Sequence, residues 1–207
     1  MTRPGLRKLH LLSAMVLGLF LLLHIANHIA GLWGIESHIA FMDRARTIYR
    51  QPLLEMILIG LVGFQALSGI TMLLKGWRSR TGLLPWVQAL SGAYLAFFLL
   101  VHVSAVLTGR LTLGLDTNFY FAAAGFHVAG WVWFFTPYYF LAVAALFTHI
   151  GCALFWNIDG GGTIRSKTAL MVSVTLGLVL GTAITAALAG KIYPVAIPQR
   201  YLNTYLQ

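Results

Sequence analysis

Apolar and polar positions divide the chain into five long hydrophobic runs, about 9–33, 52–75, 85–108, 130–156 and 167–190, joined by shorter stretches that hold most of the charge. At about 1.5 Å per residue, a helix of some 20 residues crosses about 30 Å of hydrocarbon. The runs lack the strict alternation of a barrel strand, and a spanning backbone must satisfy its own hydrogen bonds, so each predicts a helix. The expected fold is all-α: an integral membrane bundle of five transmembrane helices, a single domain over residues 1–207. The first run follows Arg3, Arg7 and Lys8 like a signal peptide, but its length and the lack of a small-residue cleavage site predict a retained span. The stretch "NIDGGGTIRSK" predicts a glycine-broken turn between the fourth and fifth helices. Residues 34–51 read as an outer loop, and the aromatic "FYFAAAGFHVAGW" as a segment lying along the outer interface.

Composition supports a lipid solvent: 59% of residues are hydrophobic and 9% charged, against roughly a quarter charged in soluble domains. The net charge of +9 sits mostly in short connections, with no Lys/Arg-rich run or nucleic-acid motif. It therefore points to orientation and lipid headgroups rather than nucleic acid. With the N-terminus inside, Arg3, Arg7, Lys8, Lys75, Arg78, Arg80, Arg165 and Lys167 are inner. Arg44, Arg46, Arg50, Arg110, Lys191 and Arg200 are outer, so the count leans towards that orientation. The six tryptophans fall near span ends, as an interfacial belt requires. The lone Cys152 excludes an intrachain disulfide framework and reads as an inert core thiol.

Seven histidines carry the candidate chemistry. His10, at the inner boundary, His38, in the outer loop, and His127, just before the fourth helix, read as interfacial or solvated. His24, His28, His102 and His149 lie within spans, where an imidazole faces the bundle interior and finds a partner. His24 and His28 are about one turn apart on one face. Counted from the span ends, either agrees in depth with His102, whereas His149, seven residues before the inner end of its span, belongs to a different layer. Three arrangements satisfy this spacing: axial ligation of a haem between helices, a proton relay, or interhelical hydrogen bonds.

Four stretches make the chain resemble the membrane-anchor cytochrome b of succinate:quinone oxidoreductases, the five-helix, two-haem type of succinate dehydrogenases and fumarate reductases. They are "LRKLHLLSAMVLGLFLLLHIANH", "GFQALSGITML", "FFLLVHVSAVLTGR" and "FTHIGCALFW". The resemblance implies haem-ligand positions at His24, His102 and His149, with His28 a second candidate on the first helix. It puts Gln65 where the family has a fourth ligand histidine. His24 with His102 would clamp an outer haem b. Glutamine is a poor iron ligand, so Gln65 and His149 are expected to hydrogen-bond each other, leaving one haem b, or two if His149 finds another ligand or binds through one axial bond.

The resemblance further implies a quinone site, with Glu55 in "RQPLLEMILIG" as a proton acceptor and Arg44 and Arg46 on haem propionates. It also implies flavoprotein and iron–sulfur partners on the inner face of a bacterial cytoplasmic membrane. This chain carries neither a flavin fingerprint nor a cysteine set for a cluster, so its expected role is electron conduit rather than dehydrogenase. The fifth helix has no ionisable residue in its apolar stretch, and Gly177 with Gly181 predicts close structural packing. The competing reading is a haem-free structural or assembly subunit. A proton-relaying transporter is weaker, because no inverted repeat or broken-helix pair is apparent.

Overall fold

A computed structural model of the chain describes residues 3–205. Among these residues are eight α-helices: α1 (Arg3–Ala30), α2 (Ile35–Tyr49), α3 (Pro52–Gly76), α4 (Leu83–Leu111), α5 (Phe119–Ala123), α6 (Val132–Asn157), α7 (Ile164–Leu188) and α8 (Gln199–Leu202). Five of them, α1, α3, α4, α6 and α7, are long and apolar enough to cross a membrane. The protein is an integral membrane bundle, with large side chains such as Leu19, Leu22, Leu67 and Met171 on its outside. The span boundaries differ from the sequence reading by a few residues, chiefly because α1 and α4 begin earlier and α4 continues through Arg110.

Neighbouring spans pack in the order α1, α3, α4, α6, α7, with α6 and α7 the most intimate pair. Polar groups join these neighbours inside the apolar layer, where a buried donor or acceptor needs a partner. Gln65 Nε2 donates to the His10 carbonyl between α1 and α3, at 3.1 Å. Tyr94 Oη donates to the Tyr138 carbonyl between α4 and α6, at 2.8 Å. Ser173 Oγ donates to the Phe147 carbonyl between α6 and α7, at 2.6 Å.

The glycines of α7 serve as the sequence predicts. A Cβ at Gly177 would stand 2.6 Å from the Phe147 Cβ, and one at Gly181 would stand 3.1 Å from the Phe140 carbonyl oxygen. The small-residue face thus packs on α6 of the same chain. Replacing Gly177 by alanine should destabilise the bundle by about 1–3 kcal/mol, the usual cost of overpacking. Gly60→Ala, where a Cβ meets nothing within 4 Å, should leave stability unchanged or slightly raised; unfolding in detergent micelles measures both.

The outer segments differ from expectation. Residues 34–51 are not a loop, since α2 occupies most of them. His38, Met42 and Ala45 recur at helical spacing and are buried, and Gly34, at φ 132°, makes the sharp entry from α1. The aromatic stretch after α4 does not lie along the interface either. Phe119, Ala123 and Phe126 are buried against Ile184 and Leu188 of α7. Tyr201 of α8 is fully buried and donates to the Asp116 carbonyl at 3.1 Å, while Tyr193 donates to the Gly31 carbonyl. Together α2, α5 and α8 form a cap over one end of the bundle, the end opposite the N-terminus. At the N-terminal end the predicted glycine turn closes α6 to α7. Its Gly160, Gly161 and Gly162 have φ of 73°, 89° and 80°, values that disfavour other residues.

Candidate functional site

Between α1, α3, α4 and α6 lies a cavity of about 2260 Å³, bordered on one side by α7. It exceeds twice the roughly 1,000 Å³ upper range of a pocket for one small ligand. It explains why α1, α3 and α4 bury less of their length than α6 and α7. His10, His24, His28, His38, His102 and His149 all border it, so six of the seven histidines meet in one space.

They form two levels. Towards the cap, the ring centroids of His24 and His102 are 6.0 Å apart across the cavity, with planes at 69°. Metal–imidazole bonds of about 2.0–2.1 Å put two rings on opposite sides of one metal ion roughly 6 Å apart. Each ring is backed by a phenylalanine one turn earlier on its own helix. Phe20 stacks on His24 at 5.6 Å, and Phe98 on His102 at 5.0 Å and 14°. Phe-x-x-x-His thus occurs on both helices, a sequence signal that the histidine count alone does not use. Neither imidazole hydrogen-bonds among the described residues, so their ring nitrogens remain free to ligate.

His28 stands beside the pair, 4.9 Å from His24 and 5.4 Å from His38 between ring centroids. His38 is buried, not solvated in a loop, and its Nε2 lies 3.1 Å from Asn27 Nδ2. Burial, together with Arg46 and His24 nearby, holds the His38 pKa down at about 4, so this ring is neutral at pH 7. The pairing leaves Asn27 Oδ1 and His38 Nδ1 buried without partners. Of the two first-helix candidates, His24 is the one that faces His102 at ligating separation.

Ion pairs line the capped end. Arg110 forms a two-pronged pair with Glu55, both side chains about one-quarter exposed or less. Arg46 pairs with Asp116 at 2.8 Å. Arg46, Arg50 and Arg110 border the cavity; Arg44 is exposed on the opposite side of α2 and does not. Glu55 is thus committed to a residue 55 positions away.

The N-terminal level holds His149 and, unexpectedly, His10. His149 Nδ1 is 3.0 Å from the Gln88 carbonyl and 3.3 Å from Ser91 Oγ, both on α4. Gln65 does not bond His149; its amide turns to the α1 backbone, and its Oε1 is buried without a partner. His10 is partly buried rather than solvated. It lies within a span and hydrogen-bonds Ser68 of α3 at 2.7 Å. Its distance from His28 is eighteen residues, five helical turns, which places both on one face and was legible in the sequence. His127 is set apart: it is exposed and donates through Nε2 to the Leu188 carbonyl, at 3.0 Å, at the end of α7.

Among the described residues no group of three or more His, Cys, Asp or Glu is arranged to hold a bare metal ion. The His24–His102 pair suits a metal that brings its own equatorial ligands, as haem iron does. Fold and cavity define a class, the histidine-lined integral membrane bundle. No family model, curated protein or solved structure matches the chain.

Proposed function

We propose that this protein is a haem b-binding membrane anchor and electron-transfer subunit of a succinate:quinone oxidoreductase-like complex. In this reading it passes electrons between a peripheral flavin and iron–sulfur partner and membrane quinone. The observation that carries the proposal is the His24–His102 pair, two unbonded imidazoles 6.0 Å apart across an apolar cavity. When bound there, haem b supplies one-electron chemistry. His24 and His102 hold its iron, and Phe20 and Phe98 keep those rings in place. Arg50, which has no ion-pair partner among the described residues, and Arg46 offer donors to propionates at the capped end.

Glu55 and Arg110 suit a quinone headgroup at the cavity mouth. Arg110 can donate to a quinone oxygen, and Glu55 can accept a proton when quinol is oxidised. His28, beside the ligand pair, lines the route between this mouth and the interior.

Charge supports an N-inside topology in a bacterial cytoplasmic membrane. Among the described residues, Arg7, Lys8, Lys75, Arg78, Arg80, Arg165 and Lys167 share the N-terminal end with Asp159 as its acid. At the capped end Glu36, Asp43, Glu55 and Asp116 stand among the bases, three of them in direct pairs with arginine. The positive N-terminal face is then the docking side for the soluble partners. A pyridine haemochrome assay on the purified full chain tests the proposal. At least one haem b per chain, with a low-spin spectrum, is expected. None would overturn it and reassign the histidines to interhelical packing in a structural subunit.

A further inference from the structure

Leu11 and Met15 of α1 and Val172 and Leu176 of α7 border the cavity, and all four are about half exposed or more. A side chain can do both only where the cavity opens through the side of the bundle. Both helices rise from the N-terminal end, and each pair lies 8 and 12 residues beyond the first residue of its helix, at matching depth. The four therefore edge a slit between α1 and α7. At the capped end the slit is closed, since α7 packs on the Gly31–Trp33 turn and Tyr193 donates to the Gly31 carbonyl. In the N-terminal half its apolar walls face the bilayer, and an acyl chain can enter without leaving an apolar medium.

The N-terminal mouth of the same cavity is basic. Arg7, Lys8, Lys75 and Arg80 border it, and the only acid among the described residues at this end is Asp159, exposed in the α6–α7 turn. Arg80 differs from the other three, which are exposed. Its guanidinium lies 5.1 Å from the centre of the Trp86 ring. It also rests against the end of α3, where a Cβ at Gly76 would stand 2.9 Å from its Nη2. Held from two sides, it keeps Nη1 buried without a partner. A buried guanidinium nitrogen with no acceptor calls for an anion. Trp77 packs edge-on against Trp86 at 4.9 Å, and tryptophans collect at headgroup level. The unmet donor thus sits at headgroup depth, on a cavity that admits acyl chains.

We propose that the N-terminal half of the cavity holds an anionic phospholipid of the adjoining leaflet, with its phosphate on Arg80 and Lys75 and an acyl chain in the α1–α7 slit. Charge selects the headgroup. A zwitterionic lipid would bring an ammonium among four bases, whereas phosphatidylglycerol brings none. Depth separates this lipid from a soluble partner. Arg78, Arg165 and Lys167 are exposed where such a partner would dock, but Arg80 Nη1 is buried. The site stands apart from the His24–His102 level and does not depend on haem being bound there.

The full-length protein is delipidated in detergent. Its native mass spectrum and melting temperature are then recorded with phosphatidylglycerol, phosphatidylcholine, inorganic phosphate or polyglutamate. Phosphatidylglycerol should bind at about one per chain and raise the melting temperature saturably, and the other three should not. Arg80→Gln should weaken that binding by about tenfold or more, the loss of one charge-assisted hydrogen bond, and Arg80→Lys should recover part of it. Val172→Trp, which fills the slit and leaves the bases intact, should weaken it too. Equal responses to phosphatidylglycerol and phosphatidylcholine overturn the proposal, as does unchanged affinity in Arg80→Gln. Stabilisation by inorganic phosphate alone would make this a free-anion site and overturn the lipid. An Arg80-dependent response to polyglutamate, without one to phosphatidylglycerol, would assign the residue to an acidic protein partner. If Arg80→Gln fails to fold, Val172→Trp decides.

Discussion

On the proposed haem-binding function, His102→Ala is expected to abolish the low-spin b-type spectrum of a haem held between His24 and His102. The expected loss is complete, because an axial position has no neighbouring substitute on α4. The i−4 and i+4 positions are Phe98 and Val106. His24→Ala has the same outcome unless His28 moves in from one turn away. His28→Ala by contrast keeps the spectrum, since His28 flanks the pair rather than closing on His102. Optical spectra and electron paramagnetic resonance of the oxidised proteins distinguish these variants. A normal low-spin signal in His102→Ala would rule out the assignment of that ligand, whatever the effect on quinone reduction.

The second large effect is at the Glu55–Arg110 pair. Arg110→Ala strands a carboxylate at the edge of the apolar layer. Breaking a buried pair costs about 3–5 kcal/mol and a surface pair about 0–1. With side chains 20% and 25% exposed, a loss of about 2 kcal/mol is expected. Glu55→Gln with Arg110→Ala should recover most of that loss, because no stranded charge remains. Glu55→Gln alone should leave haem content unchanged. It should slow quinol-dependent haem reduction by about 100-fold, the lower range for removing a positioned proton acceptor. Reduction by dithionite, which needs no proton acceptor, should be unaffected. A cycle with no coupling energy would show that the two residues act separately.

The membrane fold was legible in the sequence because each span repeats one signal, apolar side chains, over more than twenty residues. The cap was not. Charges in α2 mask an inner stripe of His38, Met42 and Ala45, and the burial of Phe119 and Tyr201 depends on chain segments far apart in sequence. The same limit governs the site. A first-helix histidine could be matched with His102 because depth along two spans that run in the same direction is a counting problem, though counting left His24 and His28 both open. His10 was set aside because Arg7 and Lys8 beside it look like a membrane boundary, and only the packed bundle shows its ring bonded to Ser68 of α3. The partner of Gln65 was misjudged for a different reason. An amide can turn to any acceptor within reach, and only the packed bundle shows that the nearest is the backbone of α1.

The two histidine levels have a consequence for energetics. His149 lies against Gly92 and His102 stands ten residues further along α4, so the levels are about 15 Å apart along the helix. That is roughly half the hydrocarbon thickness. A unit charge crossing the whole layer changes energy by about 2.3 kcal/mol per 100 mV. A unit charge moved between the levels would sense about half of this, roughly 1 kcal/mol for each 100 mV of membrane potential. In an energised membrane a charge would therefore not be held equally at the two levels even if their surroundings were alike, and collapsing the voltage would shift it from one to the other.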